Sequence, residues 1–205
     1  VKRAVSPEVI CRLMTDRKPL PGKLAFSRDL FVLLFLLRGM PFVDLAFLRR
    51  CDLQGNVITY HRRKTSRKLT VVVGKEAMEI IQKYMYAIPD SPYLFPIIQN
   101  PGKDEYGQYA RMLRLQNYRL TQVANILGIR DRLSTYTARH TWATTALRQN
   151  YNSSLICDAM GHSSVKVTET YFQPYRDDEV NRMNSSLITY ILSKKKRGTD
   201  KKIRS

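Results

Sequence analysis

The stretch Leu30–Leu37 (LFVLLFLL), held between Asp29 and Arg38, limits the fold more than any other part of the chain. A helix built from this run has no polar face to turn to water, so neighbouring elements must cover it. It falls far short of the roughly 20 apolar residues a membrane-spanning helix needs. A buried helix around 28–38 is therefore expected, and 205 residues are enough for one substantial domain or at most two small ones. The apolar fraction of 43% supplies a core for it to enter.

Upstream, Ser6, Pro7 and Glu8 have the order of an N-cap, a first helical position and an acidic first turn. Downstream, VITY (57–60) and LTVVV (69–73) are β-branched runs flanking the basic connector HRRKTSRK, which predicts a hairpin with a positive tip. KEAMEIIQKYMYAI returns to helical spacing, with Met78, Ile81, Tyr84, Met85 and Ile88 on one face, until PDSPYLFP breaks it. From 105 onward helices are expected near 105–127, 136–150, 153–160, 164–173 and 178–193, with Gly128 and Gly161 where C-caps belong. The fold class is mainly α with one small antiparallel sheet. A single domain is expected over 1–193. The basic tail 194–205 is expected as a solvated, disordered end, with a DNA-tracking arm as the alternative. A chain that opens on a charged helix also reads as a fragment of something longer.

Charge narrows the partner. Thirty-five Lys and Arg against 17 Asp and Glu give +18 and a pI near 10.1. Such an excess favours a polyanion, because each neutralised phosphate releases condensed counterions, over a membrane surface or plain solubility. Cys11, Cys51 and Cys157 are odd in number and form no C-x-x-C pair, which suits a reducing cytosol and argues against a disulfide framework or a zinc site. His61, His140 and His162 lack ligand spacing too. No signal peptide opens the chain. The expectations are no metal, no cofactor, no membrane and a cytoplasmic location.

Four residues can be read together as chemistry on a phosphodiester: Lys64 at the hairpin tip, Arg139 in YTARHTWAT, His162 after Gly161, and Tyr171 nine positions beyond that histidine. A tyrosine can attack phosphorus and hold it as a phosphotyrosine. The charge that builds on the non-bridging oxygens suits a guanidinium. The departing sugar oxygen needs a proton, which Lys or His can give. Taken singly, each has an ordinary alternative: a surface ion pair, a cap or core hydrogen bond, a core aromatic, a solvated charge.

Their joint order is more specific. ARHTWATTAL followed by MGHSSVKVTETYF resembles the catalytic domain of tyrosine recombinases, the phage integrase family, with an H-x-x-R-H-T-like motif, a GH(S)S motif and a tyrosine nine residues later. RGMPFVDLAFLRRCDL resembles the family's early helix-turn-helix box, and the likeness runs over about 24–183, its wording nearest to integrases of conjugative transposons and related mobile elements. The resemblance implies that Tyr171 is the nucleophile, that Arg139 and His162 hold the phosphate, that Lys64 is the general acid, and that Tyr136 assists. It also places Asp44 and His140 behind these residues as orienting groups. Arg62, Arg63, Arg67, Lys68 and Lys166 are expected against DNA.

Two positions depart from the pattern. Pro41 stands where most members carry a first catalytic arginine, and Arg38, with Arg49 and Arg50 behind it, is the expected substitute. Tyr136 stands in place of the motif's first histidine; a phenol can donate to phosphate but is a poor base near neutral pH. The implied activity is metal-free DNA integration and recombination through a 3′-phosphotyrosyl intermediate. The implied assembly is a homotetramer on double-stranded DNA, weakly associated or monomeric without it, whose 178–193 helix packs on a neighbour, with accessory DNA-binding domains outside this chain. A non-enzymatic helix-turn-helix DNA binder and a type IB topoisomerase-like relaxing enzyme are the alternatives.

Overall fold

A computed structural model describes residues 4–162, 164, 181–182 and 184–189. The chain divides into two compact units, Val1–Phe172 and Gln173–Ser205. Among the described residues of the first, α-helices and a three-stranded sheet follow in the order α1 (Pro7–Thr15), α2 (Gly22–Leu36), α3 (Phe42–Ala46), β1 (Leu53–Gln54), β2 (Val57–His61), β3 (Lys68–Val72), α4 (Lys75–Tyr84), α5 (Glu105–Leu127), α6 (Thr135–Arg148) and α7 (Ser153–Met160). In the second, residues 181–182 and 184–189 are helical, with Leu187 and Ile188 exposed.

The apolar run sits in α2, and α2 is the hub. It packs against α1, α4, α5 and α6. Leu30, Phe31, Leu33 and Leu34 are completely buried, each contributing about 2 kcal/mol over the exposed state. The helix opens at Gly22, earlier than the run itself, because Leu24 and Ser27 are buried too. Its buried Asp29 accepts from Lys83 Nζ and Tyr84 Oη at 2.7 Å each and from Arg28 at 2.9 Å. Burial pushes that carboxyl up, but these donors more than reverse it, and the acid stays below its ordinary range.

Alternation in the strands does what the sequence predicts. Ile58, Tyr60, Leu69 and Val71 turn inward, with Ile58 opposite Val71 and Tyr60 opposite Leu69 in the antiparallel β2–β3 ladder. The two-residue β1, joined to β2 through Gly55 and Asn56, is too short to show a period and was not expected. Helix α4 ends at Tyr84, sooner than the apolar face through Ile88 implies. Arg50 closes that end by donating to the carbonyls of Met85 and Pro89 at 3.0 and 2.6 Å. That employment takes it away from the phosphate-facing role considered for it. Ser6 is the N-cap residue of α1, but its side chain makes no cap hydrogen bond.

The turn after α2 positions the site. Arg38 and Gly39 are both left-handed, at φ 60° and 66°, which reverses the chain so that Gly39 lies on the backbone of α6. A Cβ at Gly39 would sit 3.1 Å from Arg139 Cα and 3.3 Å from its Cγ. Gly39→Ala therefore adds left-handed strain to a contact with backbone, and should destabilise by about 1–3 kcal/mol. Urea unfolding checks this: the midpoint should fall at unchanged m, and an unaltered midpoint would show that the turn can give way.

Candidate functional site

The geometry is built on the end of α7. Gly161 is left-handed at φ 64°, its N–H reaches the Asp158 carbonyl, and the next N–H, of His162, reaches back to Cys157, at 3.0 Å each. This is a Schellman closure, and it fixes where His162 leaves the helix. The motif MGH has a direct physical reading: a helix end, a residue able to take positive φ, and a side chain aimed from a locked position.

The next carbonyls are all claimed by arginines. Met160 O accepts from Arg139 Nη2 at 3.0 Å, Gly161 O from Arg62 Nη1 at 2.8 Å, and His162 O from Arg67 Nη1 at 3.2 Å. Each guanidinium satisfies a carbonyl that the helix leaves without an intrahelical partner, at the end where the dipole is negative. The three come from different places: Arg139 from α6, Arg62 and Arg67 from the two roots of the β2–β3 connector. Gly161 has no room for a side chain, since a Cβ would meet Leu69 Cδ1 at 2.8 Å and Arg62 Cδ at 2.9 Å.

Arg139 is the most engaged of the three. Only 3% exposed, it donates Nη1 to Gly39 O and Nη2 to His162 Nε2, both at 2.6 Å. Because a guanidinium only donates, His162 Nε2 accepts, and the neutral imidazole carries its proton on Nδ1. Burial, then the charges of Arg139, Arg62 and Lys64, push the His162 pKa down to about 4. The arrangement joins fixed cations to a neutral imidazole, which suits an anion and not a second cation.

Asp44 is the acid of this cluster. Its Oδ1 accepts the Arg63 backbone N–H at 3.0 Å, and its Oδ2 lies 3.6 Å from Arg62 Nε, an ion pair longer than a hydrogen bond. Burial raises its pKa, opposed by the Arg63 N–H and by the charges of Arg62, Arg139 and Arg63. Tyr60 is buried beside the same charges, and its phenol is pushed well above its ordinary range by burial and by Asp44.

The expected residues divide accordingly. Arg139, His162 and Asp44 are gathered, and the exposed Lys64 lies near enough for its charge to act on His162. Tyr136, half exposed one helical turn before Arg139, packs edge-on against the buried His140 at 4.5 Å. Arg38 reaches the sheet instead, donating to Thr70 O at 3.2 Å. Arg62 and Arg67, expected against DNA, hold the α7 turn, and Arg67 also pairs with Asp158 at 3.0 Å. Arg63 lies over the Phe47 ring at 3.9 Å, and Lys68 is exposed on β3. Tyr171 and Lys166 lie outside the described residues. Among the described residues, no group of three or more His, Cys, Asp or Glu could hold a metal ion.

The inward part played by Arg62 had a signal in the sequence. Ile58 and Tyr60 point inward on β2, and the same period of two carries 62 to the same side. Reading HRRKTSRK as one solvated charge run hides that alternation.

His162 makes stability depend on pH with a definite sign. Its proton is held less tightly in the folded state, at about 4, than at its ordinary value of 6.5, so its contribution is complete above about pH 6.5 and drains away as pH falls toward 4. The urea midpoint should decline over that window, and His162→Gln should flatten the decline. An unchanged slope in the variant would assign the loss to other groups.

Comparisons with known proteins bear on the fold and the family. Tyrosine recombinase XerC of Thermodesulfovibrio yellowstonii is 26% identical over 167 residues, 75% of this chain and 52% of that protein, so the chain spans about half the length of this curated relative. Among solved structures, the Tn1549 transposon integrase in complex with transposon right end DNA superposes with a TM-score of 0.69 at 14% identity, covering 92% of this chain and 67% of that one. XerA recombinase gives 0.64 at 20% identity, covering 89% and 62%. The XerH site-specific recombinase bound to its difH substrate gives 0.62 at 16%, covering 89% and 53%. At these identities the structural likeness establishes the fold, that of tyrosine recombinase catalytic domains. Residues 4–177, a span that takes in Lys64, Arg139, His162 and Tyr171, match the phage integrase family, and the chain belongs to it.

Proposed function

We propose that this chain is the DNA-cleaving and rejoining module of a bacterial site-specific recombinase that integrates a mobile element. The observation that carries the reading is the buried Arg139, bonded to a neutral His162 beside the hairpin that bears Lys64, in a chain of net charge +18. A helix-turn-helix DNA binder has no use for a buried guanidinium held at three points. The solved relatives bound to transposon-end DNA and to a difH substrate support double-stranded DNA as the partner.

In this reading the Tyr171 oxygen attacks the scissile phosphorus, the P–O5′ bond breaks, and a 3′-phosphotyrosyl link forms. Lys64 gives a proton to the departing 5′ oxygen, and the Tyr171 proton passes to solvent as its oxygen attacks. Arg139 and His162 hold the non-bridging oxygens, with His162 donating from its Nδ1–H or from a turned ring, and Tyr136 assists from the exposed side. Attack by the 5′-hydroxyl of a second duplex reverses the step and joins new strands. One catalytic domain over 1–193 does this work, with 194–205 as a basic tail. Acting on DNA, it works in the cytoplasm at the nucleoid, together with DNA-binding domains outside this chain.

Assembly follows the same reading. An apolar groove of about 380 Å³ runs between Phe35, Trp142, Ala146, Leu155, Ile156 and Ala159. The C-terminal helix exposes Leu187 and Ile188. Docking of that helix in the groove of a neighbouring copy would link protomers into a tetramer on DNA.

Tyr171→Phe should abolish covalent protein–DNA adducts on a nicked attachment-site substrate while DNA affinity stays within about threefold. Adducts that persist in this variant would remove Tyr171 as nucleophile. Lys64→Ala should lose about 10²-fold in cleavage. A 5′-thiol leaving group, which needs no proton, should restore it; failure to recover would take the general-acid role from Lys64. Relaxation of supercoiled DNA by a monomer, without strand exchange, would favour the topoisomerase alternative.

A further inference from the structure

By the family resemblance Pro41 stands where a first catalytic arginine is expected, and Arg38 turns to the sheet, donating Nη1 to Thr70 O. We propose that Arg62, at the root of the β2–β3 connector, is the second guanidinium of the phosphate site and a catalytic residue in the place that Pro41 leaves. This inference rests on the proposed strand-cleavage activity.

Three observations point to it. Asp44 lies three residues beyond Pro41 at the heart of α3, and its charged partner is Arg62, whose Nε is 3.6 Å from Oδ2. An acid positioned to orient an arginine has found one from another element. Second, Arg62 and Arg139 grip adjoining carbonyls, Gly161 and Met160, so both guanidiniums are anchored to the turn that delivers His162. Their charges both act on that imidazole. Third, Arg62 is only 7% exposed, yet among the described residues its Nη2 donates no hydrogen bond. A guanidinium fixed on one edge and open on another is preorganised for an oxygen that carries developing charge. Arg62 would thus meet one non-bridging oxygen while Arg139 and His162 meet the other. Lys64, two residues on, would be set near the leaving oxygen by the same connector.

The test uses suicide substrates of one sequence carrying either the natural scissile phosphate or a methylphosphonate there, in which a neutral methyl group replaces a charged oxygen. Adduct formation by the unaltered chain on the natural phosphate is the control; without it the strand-cleavage reading fails, and this inference with it. Given that control, Arg62→Ala should lose about 10²-fold on the phosphate, keep DNA affinity within about threefold, and recover most of the loss on the methylphosphonate. Arg62→Lys, which keeps a donor for Gly161 O and a charge for Asp44, should also raise the methylphosphonate-to-phosphate rate ratio over the unaltered chain. It serves if the alanine variant does not fold. A merely structural arginine would slow both substrates alike and leave the ratio unmoved, and that result overturns the proposal. So does cleavage by Arg62→Ala within threefold of the unaltered chain, or rescue of Arg38→Ala by methylphosphonate when Arg62→Ala is not rescued.

Discussion

Three arginines converge on the last turn of α7, and the rest of the site depends on that convergence. The carbonyls of Met160, Gly161 and His162 each receive a different guanidinium. Hydrogen bonds to charged groups are worth roughly 1.5–3 kcal/mol each, and an unpaired buried charge costs more than that. Arg139 needs the α2–α3 turn and α7 at once, because Gly39 O and Met160 O together use its two terminal nitrogens. Helices far apart in sequence are thereby locked around one imidazole, whose tautomer follows from the same bonds.

The charge surplus looks different once the fold is known. Arg28 serves Asp29, Arg50 closes α4, and Arg62, Arg67 and Arg139 hold the α7 turn. These cations are anchored by protein oxygens, so they answer to geometry before they answer to DNA. Lys64 and Lys68 are exposed on the same hairpin. A strongly basic composition indicates a polyanion, but it does not say which residues meet it.

Local structure is legible in this sequence, and long-range pairing is not. The ends of helices α5 and α7 were legible, because Gly128 and Gly161 both adopt the positive φ that ends a helix. The hairpin was legible from its β-branched runs. Arg139, His162 and Asp44 were legible from a resemblance in spacing, and they do lie together. The part played by Arg62 was missed because a run of six basic residues among eight hides which of them alternates inward. Arg38 was favoured by nearness along the chain, yet Thr70, 32 residues away, claims its Nη1. Pairings of that kind are set by how strands and helices meet, which no local pattern encodes.

Helix α2 has one more consequence, for how the protein is made. Its covering helices α5 and α6 begin only at Glu105 and Thr135, so a ribosome delivers Leu30–Leu37 long before it delivers their shelter. During that interval the segment that later forms the hub is the most adhesive stretch of the nascent chain, and the burden of keeping it from other chains falls on chaperones or on speed. The native state and its vulnerable precursor are thus shaped by the same eight residues.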